Sequence, residues 1–543
     1  MALVTILNSN SPEPSNQSYL YQYRLHHLYD PALRPMFLVD NIDQVRFINR
    51  RNRSISIPHS SPTSYHYRPD FRTQSLVIRQ QDHNGLNSSN SENELEFKLI
   101  TEEDDSDRFY STKTSYKSPT KDYTLSSPPS GFKPICVQFL ARHGSRTLTS
   151  HGYDVQTLKI WQLAKERNML TPLGEQLKED VERFMKENNQ IGVGQLTELG
   201  RNEHSDMGAR LVSRLPMLFS SSSTIEVVTS GKKRVVDSCQ CFLSGLTRSQ
   251  SNFQIRHEVP NKTLLYFHKS CSTYQNFKQT DPHIRKKIRE IKNLEQTRLF
   301  ARQVLQRIYQ NEFLQLLTDE NHENLSIENI DSIKGTTGPN EVDAVLWLYA
   351  MFSVAPAHKE SHLRNMLAKY FNREESNWFA YISDAQEYYT KGPSIKGTTA
   401  TFDMAKPLLI DFFSSIHKCI EDSSKAMVGC LRFAHAETII PFASLLQIPC
   451  LSDQAVDLNE IYRYDNNSWR GAHISPMAAN IQWEIYQNEN DPHQILVRML
   501  YNEMEVRFKN NCQPIAPDSY FYDFNELKRA YAPLLLLPNS ELN

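Results

Sequence analysis

Three short apolar runs constrain this chain more than any other feature. Ile135–Leu140, Ile225–Thr229 and Ala426–Phe433 have strand length, and each gives way within a few residues to a stretch with helical spacing. Ile135–Leu140 is continuously apolar apart from Gln138, the pattern of a parallel strand buried on both faces. Strand alternating with helix implies a layered α/β core. The segments between agree with that reading. Leu158–Lys186 reads as helix with a break at Thr171–Gly174. Thr197 can cap a helix whose Leu199, Met207 and Leu211 share a face with Leu215 and Leu218. Val235, Cys239, Phe242 and Leu246 mark another helix at 3.6 spacing. Ala405–Ile420 and Ile439–Leu446 follow, the latter with Pro441 expected in its first turn, where proline costs little. Ile481–Tyr486 and Ile495–Tyr501 read as a pair of strands.

The chain divides unevenly around that core. Residues 1–108 are rich in Ser, Asn, Arg, Tyr and Pro and hold no sustained period of 2 or 3.6, so a disordered extension is expected. Residues 109–250 form the first part of the core. Residues 251–395 carry interspersed Glu, Lys and Arg with few strand signals, and are expected to be an inserted α-helical cap domain. Residues 396–535 complete the core, and 536–543 are a tail.

Composition narrows the ligands. With 60 Lys and Arg against 62 Asp and Glu the net charge is −2, so no global basic field exists for nucleic acid. An anionic ligand must be held by a local cluster. No run of 18 apolar residues occurs, so no transmembrane helix is expected. The eight cysteines include no CxxC pair, which argues against zinc. The first residues lack the basic segment of a signal peptide.

The chemistry lies just past the strands. Arg142-His143-Gly144-Ser145-Arg146 follows the first run, at the carboxyl end of a strand, where open α/β sheets bind ligands. Two guanidinium forks match phosphate oxygens, a neutral imidazole between them can attack phosphorus, and Gly144 is expected to let the backbone approach a ligand. Alone, these five residues fit a basic surface turn equally well. Thr229-Ser230-Gly231-Lys232-Lys233-Arg234 opens a helix, whose free N–H groups favour anions, and Arg234 can add a third fork. His435-Ala436-Glu437 sits at the third strand-to-helix junction. His435 can donate to phosphate, and Glu437 can protonate a leaving oxygen and then activate water. Taken singly, a basic first turn and a His-x-Glu helix start are ordinary surface features. Three strand ends that each deliver a phosphate-competent group argue for one catalytic site.

Arg142-His143-Gly144-Ser145-Arg146, with His435-Ala436-Glu437 far downstream, resembles the histidine phosphatase superfamily. Within it the chain resembles the inositol polyphosphate phosphatase branch of the histidine acid phosphatases, in which His-Ala-Glu stands where many acid phosphatases have His-Asp. Ser111–Tyr116, Gly194–Gly200 and Arg234–Leu246 extend the likeness, which covers about residues 109–535. The resemblance implies a mixed central sheet flanked by helices with a helical cap over the site. It implies that His143 is phosphorylated, that Arg142, Arg146, Arg234 and His435 bind phosphate, and that Glu437 is the proton donor. It implies a small anionic phosphorylated substrate, inositol hexakisphosphate and lower inositol phosphates or 2,3-bisphosphoglycerate, and a place in the secretory pathway. Leu148 stands where the family usually has proline, which puts the rigidity of that loop in question. Gly231 and Cys239 also depart from the commoner pattern.

Three arginines supply the charge that a metal gives elsewhere, so no metal or cofactor is expected. The arginines and the helix N-terminus are expected to lower the proton affinity of Glu437, and a bound polyphosphate to raise it. Lys232 and Lys233 are candidates for further phosphates or for plain solvated surface. Two other readings share the motifs: a general acid phosphatase of broad specificity, and a non-catalytic phosphate-binding relative.

Overall fold

The computed structural model describes residues 105–248, 253–318, 340–358, 361–422, 424 and 426–535. The tail 536–543 and nearly all of the N-terminal extension lie outside them. Eight strands form one sheet: β1 (Phe132–Arg142), β2 (Thr224–Thr229), β3 (Gln254–His257), β4 (Met427–Ala434), β5 (Asn480–Asn488), β6 (Ile495–Tyr501), β7 (Met504–Val506) and β8 (Phe521–Asp523). Their order is β3-β2-β4-β1-β5-β6-β7, with β8 paired to β6. The strands from β3 to β1 run parallel. β5 is antiparallel to β1, and β5, β6, β7 and β8 continue antiparallel. The sheet is therefore mixed, and β1, read from its apolar run as parallel, is parallel on one edge only.

Alternation along β1 splits the core in two. Val137, Phe139 and Ala141 face one cluster with Ile225, Val227, Leu431 and Phe433, covered by helices Glu198–Arg214 and Lys233–Leu246. Cys136 and Leu140 face the other, with Ile439, Phe442, Ile481 and Trp483, covered by helices Lys406–Glu421 and Ala436–Leu446. The apolar spacing that marks each helix in the sequence is the face it buries here. Thr171 and Thr197 cap their helices as N-caps, accepting from the N–H groups of Gly174 at 3.0 Å and Gly200 at 3.3 Å.

Most of the helices between β3 and β4 are amphipathic or buried. Glu341–Val354 is apolar nearly all round and is sunk in the core, while Arg373–Lys391 runs from a capping box at Asn372 to the edge of the sheet. Two details differ from expectation. Gln254–His257 pairs with β2 as an edge strand, so the sheet reaches into the stretch assigned to the cap and the helices begin at Lys262. A four-residue strand with neither face buried carries no apolar alternation. Pro441 lies inside its helix rather than in the first turn, because the helix starts at Ala436. Proline there cannot donate to the Glu437 carbonyl four residues back. Among the described residues no helix is long and apolar enough to cross a membrane.

Candidate active site

β2, β4 and β1 are adjacent and parallel, so their carboxyl ends meet at one edge of the sheet. The backbone ties the ends together: His143 N–H donates to Ala434 O at 3.1 Å, and Ser230 N–H to Phe433 O at 3.1 Å. This brings His143, Ser230, Arg234, His435 and Glu437 to one place from positions up to about 290 residues apart.

The first turn of the Glu198–Arg214 helix clamps the motif. A Cβ on Gly144 would stand 2.4 Å from Gly200 O, and one on Gly200 would stand 2.1 Å from Ser145 O. Gly144 is thus required for the helix contact, a role the sequence reading did not include. Glu203 accepts from Ser145 N–H at 2.6 Å and from its hydroxyl at 2.7 Å, and His204 Nε2–H donates to Arg142 O at 3.0 Å. Leu148, in the family's proline position, is buried and donates its N–H to Asn188 Oδ1 at 2.9 Å. A hydrogen bond that proline cannot make holds the loop here. Gly231, the second departure, has φ +78°, a backbone that glycine adopts without strain.

His143 is buried, with Nδ1 2.9 Å from Gly144 O. A carbonyl only accepts, so Nδ1 carries the proton and Nε2 keeps its lone pair. Burial pushes the ring's proton affinity well below the ordinary imidazole value, and Arg234, Arg142, Arg146 and His435 push the same way. Arg142 Nη1 donates to Thr112 O at 2.6 Å and to Ser475 O, and Arg146 Nη1 donates to Thr147 O at 2.8 Å. The Nε groups of Arg142, Arg146 and Arg234 are buried with no partner. Burial, reinforced by neighbouring guanidiniums, lowers Arg142 to about 10 and Arg146 to about 9. Three desolvated cations with unused donors are costly unless an anion joins them.

His435 caps its helix with its ring fully buried, its centroid 5.6 Å from that of His143. Arg234 Nη2 lies 3.3 Å from His435 Nδ1, and Ser230 Oγ lies 2.9 Å from Nε2. Guanidinium only donates, so Nδ1 accepts and Nε2–H donates to Ser230. His435 therefore faces the pocket as an acceptor from Arg234, where the sequence suggested a donor to phosphate. Glu437 is held well below the carboxylate range. Burial raises its proton affinity, but the charge on Lys391, first among its neighbours, acts the other way and prevails. Lys391 Nζ stands 3.8 Å from Glu437 Oε1, and this lysine, rather than the arginines named from the sequence, is the leading counterion.

Several further groups at the site have no part in the reading of the motifs. Glu387 and Lys391, at i and i+4 on one helix, are buried and bonded at 2.6 Å. Lys113 belongs to the Ser111–Tyr116 motif and is buried facing Glu387, its proton affinity pushed down to about 7 chiefly by burial. Ser111 before it has φ 52° and bonds to Asp384, which presents Thr112 O to Arg142. His268 is buried with Nδ1 unpartnered, beside Tyr266, whose ring centroid is 4.8 Å from that of His435. Lys232 lies over the Tyr266 ring at 5.2 Å, while Lys233 pairs with Asp237 at the surface.

Fold and site together define an α/β protein with a buried cluster of guanidiniums around a neutral histidine. A model of the histidine phosphatase superfamily (branch 2) matches residues 135–502, and the chain belongs to that superfamily. Among curated proteins it is similar to multiple inositol polyphosphate phosphatase 1 of Homo sapiens, 22% identical over an alignment of 360 residues that covers 63% of this chain and 66% of that protein. The match thus spans just under two thirds of that relative's length. Among solved structures it is similar to Bifidobacterium longum multiple inositol polyphosphate phosphatase in complex with inositol hexasulfate. The TM-score is 0.70 at 28% identity, covering 80% of this chain and 99% of that one. The phytase from D. castellii shares the fold, with TM-score 0.57 at 18% identity over 79% of this chain and 85% of the other.

Proposed function

We propose that this chain is a phosphomonoesterase that removes phosphate from inositol polyphosphates through a phosphohistidine on His143. One observation carries the reading: the bare Nε2 of His143 lies among three guanidiniums whose Nε donors have no partner. A phosphate monoester supplies the missing anion and sets phosphorus against that lone pair. Nε2 forms the P–N bond as the P–O ester bond breaks, Glu437 gives its proton to the departing oxygen, and Arg142, Arg146 and Arg234 hold the equatorial oxygens. In the second step Glu437 takes a proton from water as the water attacks phosphorus and the P–N bond breaks. The relatives named above are the support for inositol polyphosphates as substrate class, and 2,3-bisphosphoglycerate is a further candidate with vicinal phosphates.

Rapid quench with labelled inositol hexakisphosphate should trap acid-labile, base-stable phosphate on the protein, absent in His143→Ala. Turnover without a trapped phosphoenzyme would overturn the phosphohistidine, and the absence of both phosphate release and trapped phosphate in the wild type would leave a non-catalytic phosphate-binding protein. A strong preference for p-nitrophenyl phosphate over inositol hexakisphosphate would instead favour a general acid phosphatase.

A further inference from the structure

Lys391 stands between two carboxylates. Its ammonium is 2.6 Å from Glu387 Oε2 and 3.8 Å from Glu437 Oε1, and the side chains of Lys391 and Glu387 are each 7% exposed. The lysine ends the Arg373–Lys391 helix, while Glu437 opens the Ala436–Leu446 helix on the far side. Lys113 faces Glu387 from a third element. The groups facing Glu437 are Lys391, His268, Tyr266, Tyr274 and Lys278 from the helical segments, Arg142 and Arg146 from the end of β1, Arg234, and its own neighbour His435. Of these, Lys391 is the leading counterion.

Resting on the reading of Glu437 as proton donor, we propose that Lys391 is a charge gate. A second phosphate next to the scissile one draws Lys391 away from Glu437, and Glu437 then holds, to higher pH than with a monophosphate, the proton it gives to the leaving oxygen. The shared ammonium links the two events. The proton is delivered to an oxygen on the ring carbon beside the one that bears the second phosphate, so that phosphate reaches the space around Lys391. A dianion there competes with Glu437 for the ammonium. An ester with a single phosphate fills the arginine pocket and leaves the Lys391–Glu437 pair intact. Selection for vicinal phosphates then arises in the proton-transfer step and not only in binding. Glu387 tunes the gate by sharing the ammonium.

The test is the pH dependence of kcat on glycerol 2-phosphate and on inositol hexakisphosphate. In the wild type the basic limb for the hexakisphosphate lies at higher pH. Lys391→Met should raise the basic limb for glycerol 2-phosphate by about one pH unit or more, as expected for loss of an opposite charge at this range. It should also lower kcat/KM for the hexakisphosphate about tenfold or more. Glu387→Gln, which leaves Lys391 to Glu437 alone, should move the glycerol 2-phosphate limb the opposite way. A merely structural role predicts no opposite displacements. If Lys391→Met folds poorly, Lys391→Met combined with Glu387→Gln removes the pair together and should still raise the limb. Limbs that stay in place, or move together in the two single variants, overturn the gate. Glu437→Gln separates the two readings. Full activity of Glu437→Gln on glycerol 2-phosphate would overturn the proton donor itself, whereas loss of that activity with unmoved limbs would overturn the gate alone.

Discussion

Desolvation among guanidiniums keeps the His143 imidazole neutral, and that has a consequence for the pH profile. Its folded pKa lies below the ordinary imidazole value, so it stays unprotonated as pH falls through about 6.5. The acid limb of kcat/KM should therefore not be centred near 6.5. A profile from about pH 4 to 7 on a monophosphate whose own ionisation is known would check this, and a limb at the ordinary imidazole value would mean that His143 is protonated in the free enzyme. The residue identities at the site were legible: His143, Arg142, Arg146, Arg234, His435 and Glu437 all meet at one edge of the sheet. Their hydrogen-bonding states were not. The Nδ1–H of His143 depends on where the Gly144 carbonyl points, and the acceptor role of His435 depends on Arg234 Nη2 reaching its ring.

Among the elements, the loop after β1 shows how a departure from a family pattern is accommodated. Leu148 N–H donates to Asn188 Oδ1, and Asn188 is fully buried with Nδ2 unpartnered. Restoring the family proline would orphan Oδ1 as well. Leu148→Pro should cost about 2–4 kcal/mol, the range for a lost buried hydrogen bond plus a lost core side chain, read as a lower midpoint in thermal or urea unfolding. Unchanged or higher stability would show that the bond contributes nothing. The helices with strong periodicity were read correctly because periodicity is the burial face. β3 was missed because an exposed four-residue edge strand has none, and the start of the Ala436–Leu446 helix was placed late because Pro441 suggested a boundary.

For the molecule as a whole, the imidazoles buried neutral set a direction for acid stability. His204 is pushed down to about 4, His358 to about 4 and His268 to about 3, in each case by burial first, and His143 and His435 also lie below the ordinary value. The unfolded chain titrates these rings near 6.5, so between 6.5 and the folded values it binds more protons than the native state. Protonation in that window favours unfolding, and stability falls as pH falls. His204 alone would contribute a loss on the order of 3 kcal/mol by about pH 4 if fully realised. The thermal midpoint in phosphate-free buffer should decline from about pH 6.5 downward. His204→Gln, which keeps a donor for the Arg142 carbonyl, should flatten that decline. A flat midpoint over the window would refute the assignment of neutral buried rings.

Sequence alone determined what local pattern can determine: which of the longer periodic segments are strands and which helices, and which three junctions carry candidate phosphate-binding groups. Strand length, 3.6 spacing and the position of a charged cluster after an apolar run are properties of contiguous residues. The tertiary structure decided which strands are neighbours, and therefore that the three junctions form one pocket. It also decided that Gly144 serves a helix contact, and that Lys391 is buried between Glu387 and Glu437. Those outcomes depend on burial and on partners distant in the chain. Desolvation and Coulomb attraction act through space, which the order of residues does not encode locally.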